Sequence, residues 1–208
     1  MSDLILVRHG ETVGNSAVRL FGITDIELSD IGKEQMKRAG EALKDIRFEK
    51  VYTSPLKRSV EGAAILSGYV DGKTEIINDF SEIDFGAWEG LSMDEAQDRY
   101  PELFKSRDVL GADFRFPEGD SKREFFERVS KAAVSIFSKS EYPALAVLHK
   151  GVIKGVLSGL LGVSVDDMGN HPIELGSIHR LKKSPGCWEL VSTNETAHLG
   201  DTRIPSSV

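Results

Sequence analysis

The chain has 208 residues, 40% of them hydrophobic, and a formal net charge of −7, so it is long and apolar enough to fold around its own core. Its single cysteine, Cys187, excludes a disulfide within the chain and favours a reducing compartment, and we therefore expect a cytoplasmic protein. The acidic balance argues against a general nucleic-acid or membrane-surface binder, and the first apolar run is too short for a signal peptide or a membrane span.

Apolar runs predict four strands. Residues 4–7 and 144–148 are continuous apolar stretches, which are typical of strands that are covered on both faces. Two shorter strands are predicted at 50–53 and 74–77.

Helix start signals separate these runs. Ser29 or Asp30 caps a predicted helix whose apolar positions recur at steps of three and four residues. Ser54 followed by Pro55 predicts a second helix, with the proline at its first position.

Two longer helices follow. Ser121 and Glu124 form a predicted capping box ahead of a strong 3.6-residue apolar period. Residues 151–161 are apolar nearly all round, and their glycines at every fourth position predict close packing on a sheet.

Strands that alternate with helices predict an α/β fold, a three-layer α/β/α sandwich around a mostly parallel, mixed sheet. Runs at 177–181 and 187–191 flank a turn signal and predict a hairpin added to that sheet. We interpret 1–208 as one domain, in which 86–119 is a small helical and loop insertion with a second capping box. The last eight residues are predicted to be a loose tail.

Polar residues that suit chemistry follow the predicted strands. Ligands bind outside the carboxyl ends of the strands in open parallel sheets, so residues delivered there are expected to meet. The residues concerned are Arg8, His9, Arg58, Glu82 and His149.

These residue types suit a phosphoryl group. Arginine presents a planar fork of donors that pairs two oxygens at once, and helix amino termini add backbone N–H groups. A neutral imidazole can attack phosphorus and carry the group as a phosphohistidine, while a carboxylic acid can protonate an alkoxide leaving group. The insertion would then cover this site.

An ordered set of motifs runs through most of the chain. It comprises Leu6-Val7-Arg8-His9-Gly10-Glu11-Thr12 with Asn15, Ser54-Pro55-Leu56 with Arg58, Glu82, Trp88-Glu89-Gly90, and His149 with Gly151-Val152-Ile153. The set resembles the histidine phosphatase superfamily, also called phosphoglycerate mutase-like, and the phosphatase-type branch in particular.

The resemblance implies roles for these residues. His9 would be the phosphorylated nucleophile, and Glu82 would be the general acid and then the general base. The implied substrate contacts are Arg8, Gly10, Asn15, Phe21, Gly22, Arg58, Lys150 and Gly151, with His149 completing the phosphate pocket. Neither a cofactor nor a metal is implied, and the other histidines show no ligand spacing.

The resemblance leaves the outcome of the reaction open. Water can take the phosphoryl group, as in a phosphatase, or a second substrate hydroxyl can take it, as in a phosphoglycerate mutase. Segment 86–119 carries eight acidic and four basic residues, a net charge of −4, which we expect to disfavour the bisphosphate that a mutase must bind.

The preferred prediction is therefore a phosphatase that acts on a small phosphorylated metabolite, such as a sugar phosphate or α-ribazole phosphate. A non-catalytic module that binds phosphorylated ligands is a further alternative. We expect no nucleic-acid or membrane partner, and the choice between a monomer and a homodimer is open.

Overall fold

A six-stranded mixed sheet forms the centre of the computed structural model, which describes residues 3–166 and 171–205. The spatial order is β3-β2-β4-β1-β5-β6. The first four strands run parallel to one another, and β5 runs antiparallel to both β1 and β6. The strands are β1 (Leu4–Arg8), β2 (Lys50–Thr53), β3 (Lys73–Ile76), β4 (Ala144–Leu148), β5 (Ile178–Ser184) and β6 (Cys187–Glu195).

Helices cover both faces of the sheet. Successive side chains of a strand point to opposite faces, and in β1 Ile5 and Val7 belong to the core beneath α1 and α2, while Leu4 and Leu6 face α5 and α6. The predicted three-layer sandwich is thus confirmed. The helices are α1 (Asp30–Leu43), α2 (Lys57–Leu66), α3 (Met93–Arg99), α4 (Pro101–Leu110), α5 (Lys122–Lys139) and α6 (Lys150–Leu161).

The start of α2 differs from the prediction. The helix begins at Lys57, two residues after Pro55, and its first turn has no side-chain cap. The reason lies in Ser54, whose Oγ accepts from the backbone N–H of Leu56 at 3.2 Å and bonds to His149 at 2.6 Å. This serine belongs to the site rather than to the helix start, whereas Ser29 caps α1 as predicted.

The glycines of α6 pack on a helix, and their predicted packing on a sheet is wrong. A Cβ at Gly155 would lie 2.7 Å from Val129, and one at Gly159 would lie 2.9 Å from the Ser130 carbonyl, so both glycines allow α6 to approach α5 closely. Ser130 Oγ also donates to the Gly155 carbonyl at 2.9 Å. No helix within the described ranges is long and apolar enough to cross a membrane.

Segment 86–119 shares a hydrophobic core with α5 and α6, on one side of the sheet. It contains α3, which has the predicted capping box, and α4. Trp88 is fully buried and contacts Phe114 and Phe116, with ring centroids 5.7 and 5.4 Å away. The segment is therefore anchored by an aromatic cluster.

The tail is more ordered than predicted. Arg38 pairs with Asp201 at 2.7 Å, and Arg203 pairs with Glu174 at 2.7 Å, so two ion pairs hold residues 201–203 against the fold. The final three residues lie outside the described part of the chain.

Candidate active site

His9 follows β1, and a hydrogen bond defines the tautomer of its imidazole ring. Its Nδ1 donates to the carbonyl oxygen of Gly10 at 2.7 Å, and because a carbonyl only accepts, the proton must lie on Nδ1. The Nε2 lone pair is thereby left available for a reaction. Burial lowers the pKa of His9 well below that of a free histidine, and the nearby charges of Arg58 and Arg8 act in the same direction.

Arg58 is buried by its own hydrogen bonds. Nη2 donates to the carbonyls of Phe21 (3.1 Å) and Gly22 (2.6 Å), and Nη1 donates to the Thr24 carbonyl at 2.8 Å. Nε donates to Nδ1 of His149 at 3.2 Å. Arg58 is only 1% exposed, and its hydrogen bonds fix the orientation of the guanidinium before any ligand arrives.

Glu89 positions the loop that holds this guanidinium, a role that the sequence analysis missed. Its carboxylate accepts from the backbone N–H groups of Gly22 (3.0 Å), Ile23 (3.2 Å), Thr24 (3.3 Å) and Phe85 (3.1 Å), and from the hydroxyl of Thr24. One carboxylate therefore sets the direction of the carbonyls that face the arginine. A glutamate inside a Trp-Glu-Gly motif was the available signal.

His149 caps α6 and lies beside His9, with ring centroids 5.0 Å apart. Its Nδ1 accepts from Arg58, so its Nε2 carries the proton and donates to Ser54 Oγ at 2.6 Å. Burial, followed by the charge of Arg58, lowers the pKa of His149 well below its ordinary value.

Arg8 is buried and only partly satisfied. Its Nη1 donates to the Ile173 carbonyl at 2.7 Å, while its buried Nε has no hydrogen-bond partner among the described residues. Burial lowers the pKa of Arg8 to about 10, so the side chain is still a cation at neutral pH. An unpaired buried donor is costly, and an anion bound at this point would satisfy it.

Glu82 contributes a buried, hydrogen-bonded carboxyl to the same cleft as His9. It is 6% exposed, and its two oxygens accept from the backbone N–H groups of Ile83 at 3.0 Å and Gly151 at 2.9 Å. Burial raises the pKa of this carboxyl, against the smaller opposing effects of those hydrogen bonds and of Arg58 and Arg8. A Cβ at Gly151 would lie 2.4 Å from the Glu82 carboxylate, so only glycine allows this contact.

A cleft of about 210 Å³ opens over Arg8, His9 and Glu82. Its predicted lining residues include Arg8, His9, Phe21, Glu82, Lys150 and Gly151. Burial lowers the pKa of Lys150 to about 8.

Four residues expected to contact substrate, Gly10, Asn15, Gly22 and Arg58, lie outside the wall of this cleft, as does His149. Gly10 packs on Gly32, and Gly22 holds Arg58 through its carbonyl. Asn15 is exposed in a left-handed turn with φ 70°.

The charge of the cleft differs from the charge of segment 86–119. That segment contributes Phe116 and none of its acidic residues to the wall, and several of those acids are paired with basic residues. Glu95, for example, pairs with Arg19 at 2.8 Å, and Asp113 pairs with Arg123 at 2.6 Å. Among the described residues, one carboxylate, Glu82, lines the cleft together with Arg8, Arg19, Lys122, Lys150 and Lys154, so the charge of the wall does not follow the net charge of the segment. The expectation that the segment disfavours a bisphosphate stays a prediction.

Within residues 3–166 and 171–205, no three His, Cys, Asp or Glu side chains are grouped so that they could hold a metal ion. The residues that surround His9 are instead suited to bind and transfer an anionic group: a free imidazole nitrogen, two buried guanidinium groups and a carboxyl with a raised pKa.

The chain matches the model of the histidine phosphatase superfamily (branch 1) over residues 4–196. It is 28% identical to "Uncharacterized phosphatase PhoE" of Bacillus subtilis (strain 168), covering 96% of this chain and 97% of that protein. It is 33% identical to "Phosphoglycerate mutase-like protein 4" of Arabidopsis thaliana, covering 74% and 69%. A putative alpha-ribazole-5'-P phosphatase from Escherichia coli shares the fold, with a TM-score of 0.85, 23% identity and coverage of 94% and 97%. This chain belongs to the histidine phosphatase superfamily.

Proposed function

We propose that this protein hydrolyses a small phosphomonoester through a phosphohistidine formed on His9. The observation that carries the proposal is the Nδ1–H bond from His9 to the Gly10 carbonyl, which leaves Nε2 as an unprotonated nucleophile in a cationic cleft. Glu82 lines the same cleft and supplies the carboxyl that the leaving group needs.

The first step transfers the phosphoryl group to the protein. The Nε2 lone pair of His9 attacks phosphorus, the bond from phosphorus to the ester oxygen breaks, and Glu82 gives its proton to that oxygen. Arg8 and Arg58 stabilise the charge on the non-bridging oxygens, and their fixed orientation avoids reorganisation during the step.

The second step returns the protein to its starting state. Glu82, now a carboxylate, takes a proton from water while the water oxygen attacks phosphorus. The bond between phosphorus and His9 Nε2 breaks, and inorganic phosphate leaves. One water is consumed and one alcohol and one phosphate are formed, so the atoms balance.

A phosphoglycerate mutase is the second candidate. The cations that line the cleft, in particular Lys122 and Lys154, favour it, because a mutase must hold a bisphosphate. The name of the Arabidopsis relative points the same way. The phosphatase name of the Bacillus subtilis relative, which aligns over nearly the whole of both chains, supports hydrolysis.

The test compares the wild-type protein with His9→Ala in the turnover of para-nitrophenyl phosphate. The proposal expects a loss of at least about 10³-fold in kcat, because the variant lacks the nucleophile. Equal turnover by both proteins would support a binding module without catalysis. Phosphorus label on the wild-type protein should survive alkaline quench and be lost in acid, and label that resists acid would contradict a phosphohistidine.

A separate measurement tests whether the protein is a phosphoglycerate mutase. The wild-type protein is supplied with a phosphoglycerate and 2,3-bisphosphoglycerate, and isomer formation is compared with phosphate release. We expect phosphate release to dominate. Isomer formation faster than phosphate release would make the mutase the correct assignment.

A further inference from the structure

Two lysines of the cleft have no task in the proposed chemistry. Lys122 is the first residue of α5, and Lys154 lies four residues after Lys150 on α6. Both line the same cleft as His9. Four residues of a helix span about 6 Å and return to the same face, so Lys154 lies one turn farther from the start of α6 than Lys150 does.

These ammonium groups are poorly compensated. Both lysines are half-buried, and among the described residues no carboxylate lies within 4.0 Å of either Nζ. Lys122 Nζ instead lies 5.3 Å from the ring centroid of Phe114. Holding like charges in a partly buried wall costs free energy that an anionic ligand would recover.

The pKa shifts agree with this geometry. Burial lowers the pKa of Lys154, and it lowers that of Lys122 together with the charges of Arg107 and Lys154. Asp108 and Asp166 act in the opposite direction on Lys122, without reaching ion-pair distance. An anion between the two lysines would favour the charged form of both.

The wall of the cleft is otherwise largely aromatic. Phe85 and Phe116 meet edge to face with ring centroids 5.0 Å apart, and Phe125 and Phe126 meet at the same distance. All four line the cleft, as does Phe21. Such a surface favours an apolar or planar ligand body over a heavily hydroxylated one.

We propose that Lys122 and Lys154 form a second anion-binding subsite, so that the preferred substrate is a phosphomonoester with an apolar or planar body and a second anionic group, a carboxylate or a phosphate, at its far end. The inference rests on the proposed function, because it takes the phosphate end of the substrate to lie against His9.

The first test measures binding with ligands that cannot be hydrolysed. The probes are para-(phosphonomethyl)phenylpropanoate and its carboxamide, which differ only in the charge at the far end. We expect calorimetry to show the carboxylate binding about tenfold more tightly to the wild-type protein, as is typical of a charge-assisted hydrogen bond. Equal affinities would overturn the inference without reference to any variant.

Substitutions test whether Lys122 and Lys154 cause the preference for the carboxylate probe over its carboxamide. In Lys122→Met/Lys154→Met we expect the ratio of the two affinities to fall to about one. The control Lys131→Met removes an exposed cation from α5 that pairs with Glu127 at 3.2 Å, and it should keep the wild-type ratio. A preference that persists in the double variant would overturn the assignment.

Turnover of the corresponding phosphate esters separates the two proposals. If both esters are hydrolysed with equal kcat/KM, the proposal of a second anion-binding subsite is wrong and the proposed function stands. If neither is hydrolysed while the phosphonate carboxylate still binds more tightly than its carboxamide, the subsite stands and the proposed function is wrong.

Discussion

The Nε–H group of Arg58 donates to Nδ1 of His149 at 3.2 Å, so a permanently charged side chain fixes the tautomer of its neighbour. His149 is thereby held neutral, with its remaining proton on Nε2. Burial and the adjacent guanidinium oppose protonation of the ring. We infer that His149 acts as a neutral hydrogen-bond donor and not as a third cation.

Arg58→Lys tests whether fixed geometry matters beyond charge. An ammonium cannot reach three carbonyls and His149 at once, so we expect kcat/KM for para-nitrophenyl phosphate to fall by about 10²- to 10³-fold. Lys57→Met, which alters the exposed neighbouring cation, serves as the matched control and should leave kcat/KM unchanged. A lysine variant with wild-type kcat/KM would show that charge alone suffices.

Glu82→Gln tests the proton donor through the leaving group. Alkyl phosphates need protonation of their leaving oxygen, so we expect their kcat to fall by about 10²- to 10³-fold, but that of para-nitrophenyl phosphate by less than about tenfold. Asp79→Asn, which alters an exposed carboxylate three residues away, is the control. Equal slowing of both substrates would remove Glu82 from this role.

The pH dependence follows from the same carboxyl. The acid must be protonated and burial raises its pKa, so activity on an alkyl phosphate should fall as the pH rises through that value. The lowered pKa of His9 keeps the nucleophile neutral into the acidic range. The wild-type to Glu82→Gln ratio of kcat/KM cancels ionisation of the substrate and should decrease with pH. A ratio independent of pH would contradict the assignment.

His179 makes stability depend on pH. It is fully buried between Ser177 and Thr193, and burial lowers its pKa from 6.5 to about 4. The unfolded chain binds the proton more readily than the folded protein does. The titration of His179 therefore leaves the free energy of unfolding unchanged above about pH 6.5 and lowers it as the pH falls toward 4.

The size of this effect can be measured by urea unfolding at pH 7 and pH 5. The wild-type protein should lose about 2 kcal/mol more than His179→Gln does between these two conditions. His9 and His149 contribute in the same direction in both proteins, so the difference reports on His179. Identical losses would show that this histidine titrates alike in both states.

Glu89→Ala tests the loop that holds Arg58. Four backbone N–H groups lose their acceptor, and we expect the free energy of unfolding to fall by about 2–4 kcal/mol. Glu102→Ala alters an exposed carboxylate of the same insertion and should change it by less than about 0.5 kcal/mol. Similar melting temperatures for the two variants would contradict the positioning role.

Local patterns predicted the strands well, because continuous apolar runs such as that of β4 have one stable environment, a sheet covered on both faces. They failed at α2. Ser54 and Pro55 look like a helix start, yet the serine hydroxyl bonds to His149, which is 95 residues away in the chain. No local sequence pattern indicates that the Ser54 hydroxyl bonds to His149 instead of capping α2.

The site itself was predictable only in part. Arg8 ends β1 and His9 follows it, so the topology of a parallel sheet brings them to the expected edge. The charge of the cleft was not predictable from the composition of 86–119, because a net charge does not say which way each side chain points. None of the acidic residues of that segment lines the cleft, and Glu95 pairs with Arg19. Lys154 had a local signal, its i,i+4 spacing from Lys150, which places both on one helix face.

Because Gly151 contacts Glu82, positions near the start of α6 differ in which side chains they can accept. No side chain fits at 151 without displacing the Glu82 carboxyl. At 154, one turn farther along the helix, the side chain lines the cleft. A library randomised at position 154 should therefore yield variants with altered substrate choice and intact chemistry, whereas one randomised at 151 should yield mainly inactive clones.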